Sequence, residues 1–326
     1  MRTKSIFKIS VIAATFLILL MGTRYSFAKE WPSQPITIIV GWSAGGSSDL
    51  FTRMLTEALT KNLGIPVIVE NKPGAASLLS LSLVSKAKPD GYTLSFMSCT
   101  AITEKPFIRE VPFDPIKGFS YICQAFNYGY GFAVRSDAPW KTFPEFVEAA
   151  KKQPGKLTVS MSGLATTMHV ALAKLELKIP GFKVTIVPYK GGTPAATALL
   201  GGHVDACFQT QEWKPYVDAG QLRLLAAPQK ERWKEYPDVP TWLDLGYGIY
   251  AESPGAYVAP PGLPENIRKK LEQECKKSMD YPGLKGVVKQ FGLVESYKPG
   301  EELYRELMKM YEENKNILPK LGIVEK

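Results

Sequence analysis

The chain has few of the side chains that bind metals or act as nucleophiles. Its 326 residues include two histidines and four cysteines, and none of these stands at the spacing of metal ligands. Its glycine-rich turn contains neither a Gly-Lys-Ser/Thr phosphate loop nor a G-x-G-x-x-G fingerprint. These absences argue against a metalloenzyme and against a nucleotide or redox cofactor, so we expect no cofactor.

Apolar runs long enough to span a membrane are also missing. The N-terminus carries three positive charges, then a mainly apolar run over residues 9–21, and then Ser26, Phe27 and Ala28. That run is too short to span a bilayer comfortably, and the pattern is typical of a cleaved secretory signal. We predict a signal peptide over residues 1–28, with cleavage before Lys29, and hence a periplasmic protein.

Charge of one sign is not concentrated anywhere. The formal net charge of +9 falls to +5 once residues 1–28 are removed, and no basic cluster is interleaved with aromatic residues. Nucleic-acid binding therefore has little support, whereas attraction of small anions is compatible with the charge. Three of the cysteines lie in strand-like apolar segments, where buried thiols are common, so we predict no structural disulfide.

The chain does contain a regular alternation of strand and helix patterns. Strands over 36–40, 67–70 and 92–97 alternate with helical patterns, and a second series begins near residue 131. This alternation predicts an α/β fold with two doubly wound lobes. We assign residues 29–129 and 255–326 to lobe 1 and residues 130–254 to lobe 2, with a two-strand hinge between them.

Glycine-, serine- and threonine-rich loops follow several of the predicted strands. The first is Gly-Trp-Ser-Ala-Gly-Gly-Ser-Ser-Asp at 41–49, and its counterpart in lobe 2 is Met-Ser-Gly-Leu-Ala-Thr-Thr-Met-His at 161–169. Helix starts expose free N–H groups and a partial positive charge, beyond the carboxyl ends of the strands. Two facing sets of such loops predict a site for a small carboxylate.

The first loop also matches the nucleophile elbow of serine hydrolases, with Ser43 as the nucleophile. Those enzymes place the nucleophile well into the chain and the histidine late. Here Ser43 follows the first mature strand, and the two histidines are His169 and His203. A secreted serine hydrolase that uses Ser43 is therefore kept as the alternative to a binding protein without catalysis.

Six motifs, in order along the chain, resemble the Bug family of extracytoplasmic receptors of tripartite tricarboxylate transporters. They occupy residues 31–40, 44–49, 69–75, 88–94, 187–192 and 200–205. The resemblance implies a type II periplasmic-binding-protein fold that closes over a di- or tricarboxylate or an aromatic acid, without chemistry. It also implies a monomer whose partners are the membrane components of such a transporter.

Carried onto this chain, the resemblance implies a carboxylate site in the loops after the strands. The predicted ligand-binding residues are Trp42, Ser43, Ala44, Gly45, Gly46, Ser47, Asp49, Ser98, Ser162, Gly163, Ala165, Thr166, Thr167, His169, Tyr189, Lys190, Gly191 and Gln209. Where the family commonly has Pro-Phe-Ala-Ala-Gly-Gly, this chain has Gly41-Trp-Ser before Ala44. With Tyr128, Tyr130 and Trp213 expected near the cleft, this departure favours a partly apolar or aromatic carboxylate.

Overall fold

The computed structural model describes residues 30–74, 77–189 and 191–321. The predicted signal peptide and Lys190 lie outside these residues. The strands are β1 Ile36–Val40, β2 Val67–Asn71, β3 Thr93–Ser98, β4 Ser120–Asn127, β5 Gly131–Arg135, β6 Thr158–Met161, β7 Thr185–Pro188, β8 Ala206–Gln209, β9 Leu222–Ala226, β10 Pro254–Ala259 and β11 Val294–Pro299. The helices are α1 Ser47–Leu63, α2 Leu78–Ser85, α3 Thr100–Thr103, α4 Phe143–Lys152, α5 Thr167–Lys178, α6 Gly192–Leu200, α7 Lys214–Asp218, α8 Glu265–Ser278, α9 Pro282–Phe291 and α10 Gly300–Ile317.

The strands form two sheets, one in each lobe. The first sheet has the order β11-β4-β10-β3-β1-β2, and the second has the order β7-β6-β8-β5-β9. β1 pairs in parallel with β2 and β3, and β6 pairs in parallel with β7 and β8. The predicted α/β architecture is therefore present, with antiparallel strands added by β4, β5, β9, β10 and β11.

The chain passes between the sheets at the antiparallel strands. It leaves the first sheet after Asn127 and enters the second at Gly131, and β10 later inserts between β3 and β4. The two connecting segments are joined where the Tyr128 N–H donates to the Ser253 carbonyl at 3.0 Å. The lobe boundaries assigned from the sequence stay a prediction.

Each lobe has its own apolar core. Helix α1 buries Phe51, Leu55 and Leu59 on the face that its sequence periodicity predicts. The second core is built around aromatic side chains such as Phe132 and Phe208. All four cysteines are buried thiols. That the protein contains no structural disulfide stays a prediction. In the described part of the chain, no helix is both long and apolar enough to cross a membrane.

Candidate functional site

The parallel strands bring the predicted loops to one edge of each sheet. In the first sheet Val40 pairs with Asn71 and with Phe96, so the loop after β1 begins beside the ends of β2 and β3. In the second sheet Met161 pairs with Pro188, and Ser160 pairs with Cys207. The segments that follow β6, β7 and β8 therefore also share one edge.

The loop over residues 42–46, which we call the first-lobe loop, is open to solvent. Residues 43–46 are exposed, and α1 begins after Gly46, whose extended backbone provides no side-chain cap. The residue types of Ser47, Ser48 and Asp49 favour the N-cap position, but the structure has Gly46 there. Because Gly46 takes that place, no cap side chain occupies the amides at the start of the helix.

The carboxylate of Asp49 holds the first-lobe loop in place. Its Oδ2 accepts from the Gly45 N–H and from Arg53 Nε, each at 2.9 Å, and its Oδ1 accepts from Asn71 Nδ2 at 2.8 Å. Asn71 Nδ2 also donates to the Trp42 carbonyl at 3.0 Å. Burial raises the pKa of Asp49, but these donors outweigh burial and lower it overall. Asp49 thus supports the loop with a carboxylate that is already fully engaged.

Two aromatic side chains lie beside the first-lobe loop. The Trp42 ring meets Phe96 edge-on at 5.7 Å between centroids. The hydroxyl of the half-buried Tyr128 lies 2.7 Å from Ser48 Oγ. The start of α1 is thereby joined to the segment that connects the two sheets.

The second-lobe loop, residues 162–169, is shaped by backbone with positive φ. Gly163 has φ +102°, and Ala165 has φ +51°, a conformation that non-glycine residues seldom adopt. Thr166 caps α5, since its Oγ1 accepts from the His169 N–H at 3.4 Å. Like the first-lobe loop, this turn lies at a helix N-terminus.

His169 supports the second-lobe loop as a neutral imidazole. Its Nδ1 accepts from the Ala165 N–H at 3.0 Å, so the proton of the neutral ring is on Nε2. Burial lowers the pKa of His169 below its ordinary value. The ring therefore adds a possible donor to the site at neutral pH without adding a charge.

The second-lobe loop also contacts the first lobe. Ala165 packs in one apolar cluster with Ile108 and Leu318. Thr167 Oγ1 donates to Glu104 Oε1 at 3.3 Å. Burial raises the pKa of Glu104 to about 7, against the lowering effect of hydrogen bonds from Thr103 and Thr167.

Two tyrosines of the short segment that crosses between the sheets lie near the helix starts. The Tyr128 hydroxyl is 2.7 Å from Ser48 Oγ of α1. Burial raises the pKa of Tyr130, and the nearby side chains of Ser253 and Thr167 act in the opposite direction. Residues two apart in a chain cannot lie more than about 7 Å apart between Cα atoms. The starts of α1 and α5 therefore both lie beside this connecting segment.

Gln209 ends β8 beside the second-lobe loop and is fully buried. Its Oε1 accepts from Ser162 Oγ at 3.2 Å and from the Thr210 N–H at 3.1 Å. Its Nε2 has no hydrogen-bond partner among the described residues. A buried donor left without a partner is uncommon in proteins and is expected where a ligand or a water binds.

The remaining predicted residues that the structure describes lie at the same two edges. Ser98 Oγ is 3.2 Å from Thr100 Oγ1 at the end of β3. The Tyr189 N–H donates to the Met161 carbonyl at 2.8 Å, which fixes the start of the loop before α6. Gly191, with φ +138°, is the N-cap of α6.

Comparison with known proteins identifies the family. The sequence pattern of the "Tripartite tricarboxylate transporter family receptor" family matches residues 51–323. The chain belongs to this receptor family. It is 38% identical over 296 residues to the "UPF0065 protein in gbd 5'region" of Cupriavidus necator, with 91% of this chain and 90% of that protein covered.

Solved structures of receptors agree with the assignment. A TctC solute-binding protein from Polaromonas, solved without ligand, is 30% identical, with a TM-score of 0.79 over 89% of this chain and 99% of that one. The periplasmic binding protein BugD is 26% identical, with a TM-score of 0.71 over 91% of this chain and all of that one. The predicted Bug-type fold with two lobes is confirmed.

Two of the aromatic residues expected near the receptor's cleft have rings that are buried in the second lobe. Trp213 is fully buried against Trp233 and Tyr236, and its indole N–H donates to the Gln209 carbonyl at 3.2 Å. Tyr130 is 4% exposed. Sequence alone could not separate these rings from Trp42 and Tyr128, because all four follow or precede strands.

A cavity of about 780 Å³ lies elsewhere in the receptor, between α5, residues 248–252 and α10. Of the predicted site residues that the structure describes, Thr167 alone lines it. The cavity therefore borders the second-lobe loop at Thr167 but not the first-lobe loop.

Sequence reasoning missed the residues that position the loops. Arg53 and Asn71 hold Asp49, Glu104 meets Thr167, and Glu212 accepts from Thr210 Oγ1 at 2.6 Å. The Val-Glu-Asn-Lys-Pro-Gly motif contained Asn71, but no local pattern indicated its partner. These contacts join segments far apart in sequence.

Proposed function

We propose that this receptor binds a small organic carboxylate between its lobes and delivers it unchanged to a tripartite tricarboxylate transporter in the periplasm. The observation that supports the proposal is that the helix starts next to both loops lie beside the connecting segment at residues 128–130. Each loop lies at a helix N-terminus, where free amides and the helix dipole favour an anion.

The hydrogen-bond donors of the predicted site are mainly neutral. They are backbone amides, hydroxyls such as that of Ser47, the orphan Nε2 of Gln209 and the neutral ring of His169. Hydrogen bonds from neutral donors to a carboxylate are charge-assisted and roughly twice as strong as neutral ones. Several together hold an anion without an arginine clamp, and release it when the lobes open.

Two connecting segments between the sheets fit closure by hinge motion. They are paired by the hydrogen bond from Tyr128 to Ser253. Proteins of the same fold, each 23% identical to this chain, were solved with adipate and with malate. This level of identity establishes the shared fold, and we therefore choose adipate and malate as probes.

A binding role without catalysis is favoured over hydrolysis at Ser43. In the described part of the chain, Ser43 Oγ makes no hydrogen bond to His169 or to His203, and His169 Nδ1 is already engaged by Ala165. Both histidines belong to the second lobe, whereas Ser43 is an exposed residue of the first. Hydrolysis of a panel of simple esters by the purified protein, lost in Ser43→Ala, would instead support the enzyme.

Binding is tested by a thermal-shift panel of mono-, di- and tricarboxylates and aromatic acids, with sugars and simple amines as the comparison. A ligand present at about 100 times its Kd stabilises the folded state by about 2.7 kcal/mol. We expect at least one acid to raise the melting temperature by several degrees. Stabilisation by sugars or amines but by no acid would contradict the proposal.

Gln209→Glu tests the location of the site. The substitution keeps the oxygen that accepts from Ser162 and Thr210, but it replaces the orphan donor with a second carboxylate oxygen. We expect binding of the acid found in the panel to weaken by about tenfold or more. Gln153→Glu, an exposed change of the same charge in the same lobe, is expected to bind normally.

A further inference from the structure

The second lobe places a carboxylate of its own at one of the helix starts beside the site. Glu212 follows β8, and its Oε2 accepts from Thr210 Oγ1 at 2.6 Å. A Cβ added to Gly192 would lie 2.3 to 2.6 Å from the three atoms of the Glu212 carboxyl group. The carboxylate therefore packs directly against the first residue of α6.

This position is one that would otherwise attract an anion. Helix α6 runs for nine residues, and its N-cap Gly191 provides no side chain to satisfy the amides of the first turn. The positive end of the helix dipole stabilises a negative charge there. A side chain at Gly192 would require the carboxyl group of Glu212 to move from this position.

Glu212 also lies near Tyr128 of the segment that connects the two sheets. Its negative charge contributes to raising the pKa of Tyr128, after the larger effect of burial, and the Tyr128 hydroxyl lies 2.7 Å from Ser48 Oγ. The preceding residue, Gln211, contacts the first lobe through a 2.9 Å hydrogen bond to the Gly292 carbonyl. The segment that carries Glu212 thus lies where the two lobes meet.

We infer that Glu212 makes this receptor selective for monocarboxylates over dicarboxylates, an inference that rests on the proposed function. One ligand carboxylate is held by the first-lobe and second-lobe loops. A second carboxylate at the far end would find the start of α6 already occupied by Glu212, and the like charge would repel it. A neutral or positively charged far end meets no such repulsion.

Calorimetric titration of matched acids at pH 7.5 tests the inference. Two series keep the chain length and change only the far end: butyrate, succinate and 4-aminobutyrate, then hexanoate, adipate and 6-aminohexanoate. In the wild type we expect the monocarboxylate or the amino acid of at least one series to bind about tenfold or more tighter than the dicarboxylate. Glu212→Gln keeps the shape of the side chain and an oxygen for Thr210, and we expect it to reduce that ratio by about tenfold.

The control is Glu148→Gln, which removes an exposed carboxylate of α4 that pairs with Lys151 at 2.7 Å. It should leave the ratio unchanged. Circular dichroism checks that each variant folds. If Glu212→Gln does not fold, Glu212→Ala serves as the second variant.

The outcomes separate the inference from the proposed function. Equal binding of monocarboxylates and dicarboxylates by the wild type, or an unchanged ratio in the Glu212 variant, overturns the inference while carboxylate binding itself is upheld. If neither protein binds any of the six acids or any acid of the wider panel, the inference and the proposed function are both overturned.

Discussion

At the scale of single residues, Gly41, which lies between β1 and the first-lobe loop, is a position where an added methyl group has no room. Its Cβ would lie 2.4 Å from Ser77 Cβ and 2.5 Å from Ser80 Oγ, and both serines are fully buried. We expect Gly41→Ala to lower the free energy of unfolding by about 1–3 kcal/mol and to weaken ligand binding, because the loop must shift. Urea denaturation and calorimetric titration measure the two effects.

Gly286 provides the matched control for that prediction. It lies in α9, and an added Cβ there meets nothing within 4 Å. Gly286→Ala should raise stability by about 0.5–1 kcal/mol, because alanine favours the helix. Equal losses in both variants would show that the contact with Ser77 does not set the loop.

Asp49 is the residue whose charge we expect to hold the first-lobe loop. Its folded-state pKa is lowered, so its contribution to stability is present above the unfolded pKa of about 3.9 and is lost as the pH falls below it. Asp49→Asn leaves the Arg53 guanidinium and the Gly45 amide without an anionic acceptor. We expect a loss of about 1–3 kcal/mol at pH 7, measured by urea denaturation, that shrinks towards pH 3.

The exposed Asp280 offers the comparison for this pH series. Its side chain is 93% exposed, so Asp280→Asn should change stability by less than about 0.5 kcal/mol at every pH. A loss in Asp49→Asn that persists undiminished at pH 3 would assign the effect to packing instead of charge.

At the scale of elements, α4 shows how a local signal determines a helix start. The sequence Thr-Phe-Pro-Glu at 142–145 predicts a capping box, and Thr142 Oγ1 accepts from the Glu145 N–H at 3.3 Å. The Glu145 carboxylate reaches the Lys141 N–H at 2.6 Å, one residue before the N-cap. The helix start lies where the sequence predicts it.

Removing that cap should cost stability without affecting binding. We expect Thr142→Ala to lower the free energy of unfolding by about 0.5–2 kcal/mol, measured by urea denaturation. Ligand affinity should stay at the wild-type value, because α4 contributes nothing to the two loops. Thr142→Ser keeps the capping oxygen and should recover most of the loss. A loss in the serine variant as large as in the alanine variant would rule out the cap as the cause.

The same comparison shows what the sequence could predict at this scale. Strand patterns are local, so β1, β2 and β3 lie close to their predicted bounds. β11, with its mixed charged and polar residues, lacks the apolar alternation that predicts a half-buried strand. It pairs with β4 through backbone hydrogen bonds, which a side-chain pattern does not predict.

At the scale of the whole molecule, the site depends on contacts between lobes that the sequence could not reveal. Glycine- and serine-rich loops after strands predict where a ligand binds. The contacts that position the adjoining helix starts are Ser48 with Tyr128, within the first lobe, and Thr167 with Glu104, between the lobes; they span 80 and 63 residues of the chain. Such pairs are fixed by the packing of sheets and helices, which is why Glu104 was not among the predicted residues.

Glu104 makes a prediction about the pH dependence of the whole receptor. It is 1% exposed and is bonded to Thr103 of the first lobe and Thr167 of the second. Its pKa of about 7 exceeds the ordinary value of 4.5, chiefly because of burial, while Lys174 and Lys105 act in the opposite direction. Between these two pH values the folded protein holds a proton that the unfolded chain has released.

Stability should therefore fall as the pH rises from about 4.5 to about 7 and then level off, by about 3 kcal/mol in total from this group. Glu104→Gln cannot release a proton, so we expect it to lose this slope and to be more stable than the wild type at pH 8. Urea denaturation at intervals from pH 5 to pH 8 measures the difference. Glu313→Gln removes the exposed partner of Lys174 and should keep the slope. If Glu104→Gln keeps the wild-type slope, the titrating group lies elsewhere and the carboxyl between the lobes is charged throughout this range.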